Sequence, residues 1–439
     1  MTIPMDAGAA ELLHALHAAG HAAYVVGGCV RDSLLGLTPH DWDLCTSALP
    51  QQVMELFGAQ RCIPTGLQHG TVTVKQSGAL YEITTFRTEG TYTDGRHPDE
   101  VHFVPDVRED LARRDLTINA MAYNEKEGLV DPFGGQADLQ SGIVRAVGVP
   151  RQRFTEDALR ILRLYRFAAR FGFAIDPSTA QAAQELCAHL DCVSVERIEE
   201  ELAKLLSAPA PAAYLDKKIL FVILPELSSE ALAAAKPVVD ACPAGAENLP
   251  IRLAALLLSL GEDGIRRTLK RLRCSNALIE EAAVLVREAR GCDGSFLFGH
   301  DSGHSIASPS AFGNRVPPQR TVLRETTVTP GFTIYARRLL GKYNLCTVQR
   351  LAALGTALQP ERAADFAALS ELAEQLDADG VCCRVSQLAV NGRDLMAAGV
   401  PAGPGIRKVL EALLDGVIRE EYPNERQALL AAVQQLAAS

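Results

Sequence analysis

The chain has 439 residues, which is too long for one ordinary domain and suits two to four. Its composition, with 48% hydrophobic and only 5% aromatic residues, favours a globular protein rich in helices. A net charge of −10 argues against a surface that is basic all over, although a local basic stripe can still bind a nucleic acid. Eleven scattered cysteines without a CxxC pair argue against a zinc ribbon or a dense disulfide framework and indicate a reducing cytoplasm. The first residues lack the basic segment of a signal peptide, and no apolar stretch is long enough to span a bilayer.

The first 130 residues alternate between short helices and short strands. In chain order the predicted elements are a helix at 10–19, a strand at 22–26, a helix at 29–35, a strand at 41–46, a helix at 53–57 and strands at 71–74 and 81–85. The strands are assigned from their apolar and β-branched content. Residues 20–130 are therefore predicted to form a small domain of mixed strands and helices.

From about residue 150 the pattern becomes helical almost to the end of the chain. Residues 293–318 are rich in Gly, Ser, Pro and His and are predicted to form a loop or linker. Residues 381–400 interrupt the helical pattern before a last helix with one apolar face, made by Ile406, Val409, Leu410, Leu413, Leu414 and Val417. Residues 145–170 carry seven arginines against two acids, which indicates either a solvated helix face or a nucleic-acid contact.

Two glycines lie between the first predicted strand and the second predicted helix. Gly27 and Gly28 allow a backbone to approach a polyphosphate closely, and the helix that follows offers unpaired amide groups. Arg31, one turn further on, can add a charge-assisted hydrogen bond to the same phosphates. Taken alone, such a glycine pair is more often a simple tight turn.

Three carboxylates follow on the next predicted strands. Asp41 and Asp43 are two residues apart in a strand, so their side chains point to the same face. Adjacent carboxylates repel each other unless a cation lies between them, and their hard oxygens suit Mg²⁺. Glu82 can join them if its strand is a neighbour, and together they could hold two metal ions for an in-line displacement. The alternative is that all three are solvated acids at the surface of a sheet.

Five motifs in this order resemble those of a known family. They occupy residues 27–36, 41–46, 81–87, 113–120 and 156–160. Together they resemble the class II tRNA nucleotidyltransferase and bacterial poly(A) polymerase family of the polymerase-β superfamily. The resemblance implies an α+β N-terminal nucleotidyltransferase head, with a small mixed sheet and helices, followed by an all-α neck, body and tail. The implied domains are the head at 1–140, the neck at 141–215, the body at 216–345 and a tRNA-binding tail at 346–439.

The resemblance also implies roles for individual residues. Asp41 and Asp43 would bind the metal, with Mg²⁺ as the cofactor, and Glu82 would be the third catalytic acid. Asp115 would face the ribose, and the pair of Asp157 and Arg160 would read the base. The full set of implied nucleotide contacts is Gly27, Gly28, Arg31, Arg114, Asp115, Asn119, Asp157, Arg160, Arg163 and Arg166.

The pair of Asp157 and Arg160 has a physical logic of its own. Three residues apart in a predicted helix, the two side chains would share a face. A carboxylate only accepts hydrogen bonds and a guanidinium only donates them. Cytosine and adenine both present an amine beside an accepting ring nitrogen, whereas uracil and guanine present a carbonyl in place of that amine. One such pair can therefore accept CTP and ATP and reject UTP and GTP.

The activity implied by the resemblance is template-independent addition of CCA to the 3′ end of tRNA from CTP and ATP. The alternatives are a poly(A) polymerase, an enzyme that adds only C or only A, and an inactive RNA-binding descendant. Residues 88–102 and 388–425 resemble the flexible loop and the tail of full CCA-adding enzymes. The region at 341–439 holds nine basic and twelve acidic side chains, so its charge adds no support for tRNA binding. Residues 253–261 resemble a phosphohydrolase segment but lack its His-Asp pair, so we expect no such activity.

Overall fold

The structure is a computed structural model that describes residues 2–90, 100–291 and 330–438. The α-helices of the described residues are α1 (Ala7–Ala18), α2 (Gly28–Leu34), α3 (Pro50–Phe57), α4 (Val107–Ala112), α5 (Gly135–Ser141), α6 (Pro150–Glu156), α7 (Leu159–Phe171), α8 (Pro177–Leu186), α9 (Val195–Leu206), α10 (Lys217–Ile223), α11 (Ser229–Ala241), α12 (Leu249–Leu257), α13 (Gly261–Arg271), α14 (Asn276–Gly291), α15 (Pro330–Lys342), α16 (Leu345–Leu358), α17 (Ala363–Ala378), α18 (Gly392–Ala397), α19 (Gly405–Ile418) and α20 (Arg426–Ala438). The strands are β1 (Ala23–Val26), β2 (Leu44–Thr46), β3 (Cys62–Gly66), β4 (Thr71–Gln76), β5 (Ala79–Thr85), β6 (Arg87–Glu89), β7 (Val101–Phe103), β8 (Ala122–Asn124), β9 (Gly128–Val130), β10 (Ile143–Val144) and β11 (Ala174–Ile175). The predicted linker at 293–318 and most of the predicted loop at 88–102 lie outside the described residues.

A seven-stranded mixed sheet forms the centre of the N-terminal region, with the strand order β3-β4-β5-β2-β1-β8-β9. β2 and β5 are parallel, whereas β1 is antiparallel to both of its neighbours. Parallel neighbours need a crossover connection, and here α3, β3 and β4 lie between β2 and β5 in the chain. The mixed sheet that the sequence predicts is confirmed, and its central strand is β2.

Every residue of β1 and β2 is buried, so these strands are covered on both faces of the sheet. Tyr24, Val26 and Cys45 belong to a buried cluster together with Phe86 and Leu111. Burying a side chain as large as Phe or Leu contributes about 1.5–3 kcal/mol, so this cluster fixes α4 against the sheet. The chain then continues through a short 3₁₀ helix, Thr117–Asn119, which lies directly before β8. The motif at 113–120 is therefore placed next to the sheet by hydrophobic packing.

The helices that follow bring α7 and α9 together as an adjacent pair. α7 buries Ile161, Leu164 and Ala168, whereas Arg170 on the same helix is exposed. The helix ends at Gly172, which has a φ of 69°. A left-handed backbone conformation at this position favours glycine, because glycine has no β-carbon that would clash.

The chain divides into two compact units, and the first contains the sheet and the helices α1 to α10. The second unit holds two separate apolar clusters in its C-terminal half. One cluster is formed by α15, α16 and α17, and its buried residues include Phe332, Leu339 and Phe366. The other is formed by α18, α19 and α20, and it contains the predicted apolar face of α19, of which Leu413 and Val417 are buried. That face is therefore confirmed.

Most of the predicted elements near the N-terminus are confirmed to within a few residues. The strand predicted at 41–46 begins only at Leu44, so Asp41 and Asp43 precede β2 instead of lying within it. β3 and β6 to β11 were not predicted from the sequence. β8 and β9 have only three residues each, which is too short to show an alternating pattern. In the described residues no helix is both long and apolar enough to cross a membrane.

Candidate active site

The three acidic residues lie where β2 begins beside β5. The register pairs Leu44 with Ile83, so the residues that precede them, Asp43 and Glu82, are neighbours across the two parallel strands. The backbone N–H of Val26 donates to the Asp43 carbonyl at 2.9 Å, which anchors this stretch to β1. Asp41, Asp43 and Glu82 are all exposed. Among the described residues no group donates a hydrogen bond to any of the three carboxylates.

The charge around Asp43 favours a cation. Partial desolvation by the surrounding protein raises the pKa of the Asp43 carboxyl, and the carboxylates of Glu82 and Asp41 raise it further. Arg114 acts in the opposite direction and lowers that pKa. Within residues 2–90, 100–291 and 330–438 no group of three or more His, Cys, Asp or Glu side chains could hold a metal ion by itself. Because Mg²⁺ is usually bound through one or two carboxylates together with substrate phosphates and water, the hard oxygens of Asp41 and Asp43 fit such an ion.

The glycine turn between β1 and α2 is lined by two guanidinium groups. Gly27 has a φ of 77°, which favours glycine, and a β-carbon built on it would lie 3.0 Å from Arg114 Nη1. A β-carbon on Gly28 would lie 3.7 Å from Arg31 Nη2. Arg114 Nε is buried and has no hydrogen-bond partner among the described residues. Two cations and an unpaired N–H group therefore lie beside the turn, an arrangement that suits a polyphosphate.

Asp115 is buried, and both of its carboxylate oxygens are engaged by the protein. Oδ1 accepts hydrogen bonds from the Leu116 N–H at 2.8 Å and from Asn119 Nδ2 at 3.1 Å. Oδ2 lies 2.7 Å from both Nε and Nη2 of Arg163. Burial alone would raise the pKa of Asp115, but Arg163, Asn119 and Arg160 hold it well below its usual value. A carboxylate has about four acceptor positions, so a ribose hydroxyl could reach Asp115 only if one of these donors moved away.

The prediction that Asp157 and Arg160 share one helical face is wrong. α6 ends at Glu156 and α7 begins at Leu159, so Asp157 lies in the break between two helices with an extended backbone. The side chain explains this break, because Asp157 Oδ1 accepts from the Leu159 N–H at 3.0 Å and satisfies a free amide group at the start of α7. Arg160 is buried and its Nη1 donates to Glu156 Oε2 at 2.8 Å.

α9 provides two charged residues, Arg197 and Glu201, that were not predicted from the sequence to belong to the site. Arg197 Nη2 donates to Asp157 Oδ2 at 2.7 Å, so Arg197 holds the carboxylate that was predicted to read the base. One turn further on, Glu201 is buried, and its Oε2 lies 2.6 Å from Arg166 Nε. Arg163 Nη1 lies 3.8 Å from the other Glu201 oxygen. The spacing of four residues between Arg197 and Glu201 is the sequence signal for this shared face.

The predicted nucleotide contacts therefore fall into two groups. Residues beside the glycine turn make the first group, which contains Gly27, Gly28, Arg31 and Arg114. The second group is joined by ion pairs and contains Arg160, Arg163 and Arg166, which pair with Glu156, Asp115 and Glu201 respectively. Asp157 pairs with Arg197 of α9. Asn119 links the groups, because its Oδ1 accepts from Arg31 and its Nδ2 donates to Asp115.

Three family models match this chain. A model described as the poly A polymerase head domain covers residues 23–145, and one described as a probable RNA and SrmB-binding site of polymerase A covers residues 172–230. A third, described as a putative tRNA nucleotidyltransferase domain 2, covers residues 332–433. The first of them contains the glycine turn, the three carboxylates and the 113–120 motif.

The similarity to curated relatives extends over the whole chain. The CCA-adding enzyme of Lactiplantibacillus plantarum is 34% identical over 437 residues, which cover 98% of this chain and 96% of the relative. The chain belongs to the CCA-adding enzyme family. The CCA-adding enzyme of Geobacillus kaustophilus is also 34% identical and covers 94% of this chain, with 92% of its own length matched.

Solved structures of CCA-adding enzymes share the fold. The Bacillus stearothermophilus CCA-adding enzyme in complex with CTP superposes with a TM-score of 0.77 and 30% identity, over 99% of this chain and 98% of that one. A Thermotoga maritima CCA-adding enzyme complexed with tRNA gives a TM-score of 0.65 at 20% identity, over 98% of this chain and 94% of that one, which shows a common fold. The predicted family and the predicted architecture of an α+β head followed by helices are confirmed.

Proposed function

We propose that this CCA-adding enzyme completes the 3′ end of tRNA by adding C, C and A from CTP and ATP without a nucleic-acid template. The observation that carries the proposal is the meeting of Asp43 and Glu82 across β2 and β5, one strand away from a glycine turn lined by Arg31 and Arg114. This arrangement brings carboxylates and phosphate-binding cations together, as nucleotidyl transfer requires. Similarity to the full length of CCA-adding enzymes supports tRNA, CTP and ATP as the substrates.

In the proposed reaction the terminal 3′ hydroxyl of tRNA attacks the α-phosphate of the nucleotide and pyrophosphate leaves. Arg31 and Arg114 bind the β- and γ-phosphates beside the Gly27–Gly28 turn and stabilise the negative charge of the leaving group. Glu82 is the third catalytic acid and lies beside Asp43. The protein's contribution is positioning and charge stabilisation, the two effects that dominate phosphoryl transfer.

Asp41 and Asp43 are the residues that we propose hold a divalent cation, with Mg²⁺ as the ion. Burial raises the pKa of Asp43, and the carboxylates of Glu82 and Asp41 raise it further, so a cation at this place would stabilise the charged form. When bound, such an ion would lower the pKa of the attacking hydroxyl and neutralise charge on the departing phosphates.

Base selection in this proposal depends on Asp157 and Arg160 at the start of α7. Asp157 lies in the break between α6 and α7 and Arg160 lies in the first turn of α7. Arg197 orients Asp157, and Glu156 orients Arg160. A carboxylate and a guanidinium held in this way can accept the shared amine and donate to the shared ring nitrogen of cytosine and adenine. Arg163 and Arg166 follow on α7 and are proposed as further nucleotide contacts, with Asp115 and Asn119 towards the ribose.

The decisive experiment uses tRNA that lacks its three terminal nucleotides. The purified protein is incubated with this tRNA, CTP and ATP, and the 3′ ends of the products are sequenced. We expect CCA as the dominant product. A tail of many A residues would identify a poly(A) polymerase, whereas a product that stops after CC, or a single A added only to tRNA that already ends in CC, would identify a narrower enzyme. No extension under any condition would contradict the proposal.

We propose that the C-terminal helices, within the tail at 346–439, bind the outer part of tRNA. Three exposed basic residues flank the connection between α18 and α19, namely Arg393, Arg407 and Lys408. The apolar cluster of α18 to α20 is separate from that of α15 to α17. Substitutions on the surface of α18 and α19 should therefore leave the neighbouring core intact. The remaining proposed divisions are a head at 1–140, a neck at 141–215 and a body at 216–345.

The ten cysteines of the described residues are free thiols, which supports a cytoplasmic location.

Replacing Arg393, Arg407 and Lys408 together by Gln tests this role of the tail. We expect tRNA affinity to fall about tenfold at one fixed salt concentration, because each lost phosphate contact also removes counterion release. The slope of log affinity against log salt should become shallower by about two to three. The KM for CTP and ATP should not change. A matched variant that keeps the charges, with Arg393→Lys, Arg407→Lys and Lys408→Arg, should bind tRNA nearly normally, and equal affinities for both variants would contradict the assignment.

A further inference from the structure

One face of α7 lies against Arg31, the arginine beside the glycine turn. Phe167, Arg170 and Phe171 are spaced three and four residues apart and therefore share a side of the helix. The two phenyl rings stack with centroids 6.2 Å apart and planes within 9° of parallel. The Arg31 guanidinium carbon lies 4.9 Å from the Phe167 centroid and 5.1 Å from the Phe171 centroid. Both rings offer this cation a cation–π contact.

Asp32, the neighbour of Arg31 on α2, connects the same arginine to α7 through charge. Its Oδ1 accepts from Arg31 Nε at 2.8 Å, and Arg31 Nη2 lies 2.7 Å from the same oxygen. Its Oδ2 accepts from Arg170 Nη2 at 3.0 Å. The Asp32 side chain is only 8% exposed, whereas that of Arg170 is 39% exposed. A buried carboxylate on α2 is therefore shared between arginines from two different helices.

These contacts determine where the Arg31 guanidinium can lie. A buried charge is costly unless it is paired and hydrogen-bonded, and Asp32 supplies the counter-charge. Asn119 accepts from Nη1, and the stacked rings confine the guanidinium plane. Nη2 is left beside Gly28, where it still has an N–H group to donate. Arg170 holds the second oxygen of Asp32, so it restricts the rotation of the carboxylate that anchors Arg31.

We propose that Asp32 and Arg170 are positioning residues for the incoming nucleotide, which fix Arg31 beside the Gly27–Gly28 turn and tie this turn to the helix that carries Arg163. The inference rests on the proposed role of Arg31 as a ligand of the triphosphate. The triphosphate is common to CTP and ATP, so Asp32 and Arg170 affect both nucleotides equally and leave the choice of base to Asp157 and Arg160.

Steady-state kinetics with tRNA lacking its end, and with each nucleotide varied in turn, test the proposal. We expect Arg170→Gln and Asp32→Asn to raise the KM for CTP and for ATP by about tenfold, which is the size of effect expected when the interaction between two contacting residues is lost. The change in kcat should be smaller. The preference for CTP and ATP over UTP and GTP should stay unchanged. Arg170→Lys keeps the charge and should restore part of the affinity. In an Arg31→Gln background Arg170→Gln should have almost no further effect, because the residue it positions is already missing.

Arg271→Gln is the matched control for Arg170→Gln. Arg271 has the same 39% side-chain exposure and pairs with Glu226 at 2.9 Å, but it contacts none of the residues around the glycine turn. It should lose a similar amount of thermal stability and keep its KM values. If Arg170→Gln and Arg271→Gln have the same kinetics, or if Arg170→Gln acts fully in the Arg31→Gln background, the positioning role is wrong while the triphosphate role of Arg31 still stands. If Arg31→Gln itself leaves both KM values unchanged, the triphosphate role fails as well, and the inference fails with it.

Discussion

An Asp43→Ala variant is expected to lose nucleotide addition by about a thousandfold or more while keeping its fold. Asp43 is exposed and receives no hydrogen bond from the described residues, so the substitution removes neither packing nor a buried partner. Its carboxylate is repelled by Glu82 and Asp41. In the presence of a chelator the melting temperature of the variant should therefore equal or slightly exceed that of the parent protein. Single-turnover rates with CTP, compared with melting temperatures, measure both effects, and Asp41→Ala should behave in the same way.

Glu55→Gln is a suitable control for this prediction. Glu55 is an exposed carboxylate on α3 of the same domain, and its replacement should change neither the rate nor the stability. Near-normal turnover of Asp43→Ala with Mg²⁺ present would show that the acidic site lies elsewhere. A large fall in melting temperature would show instead that Asp43 supports the fold.

The central strands of the head were predictable because their composition has a simple physical origin. β1, β4 and β5 combine apolar and β-branched residues over four to seven positions, and buried strands need such residues. Gly27 and Gly28 follow β1, and Asp41 and Asp43 precede β2, so both pairs mark the edge of the sheet at which a ligand can bind. The prediction that Glu82 lies beside Asp43 depended on the pairing of β2 with β5, and the sequence alone does not show which strands pair.

The connections between α2, α7 and α9 could not be predicted from local patterns. Arg31 with Phe167, Asp115 with Arg163, and Asp157 with Arg197 are separated by 136, 48 and 40 positions, so no short-range rule joins them. The break at Asp157 was missed for a different reason. The arginine-rich pattern runs through residues 145–170 without a Gly or Pro at the break, and only the capping contact with Leu159 shows why α6 and α7 are separate.

The second large effect concerns the choice of base. Asp157→Ala is expected to lower kcat/KM for CTP and ATP by about ten- to a hundredfold, the range of one good bidentate contact to a base. It should also permit measurable use of UTP or GTP, because the carboxylate that repels their carbonyl is gone, and specificity is a difference between affinities. Arg160→Ala should weaken the correct nucleotides to a similar extent. Kinetics with all four nucleotides on tRNA lacking its end provide the measurement.

Asp157 also caps α7 and pairs with Arg197, so loss of selectivity must be separated from loss of structure. Asp157→Ser keeps a side-chain oxygen that can accept from the Leu159 N–H, but it removes the charge that the base would meet. Both variants should therefore lose selectivity, whereas Asp157→Ala should also lose about 1 kcal/mol of stability. Arg197→Gln leaves the carboxylate in place without its anchor, so it should lower efficiency with CTP and ATP without admitting UTP. If Asp157 served only as a cap, Asp157→Ser would keep the parental ranking of all four nucleotides, and the base would be read by another residue.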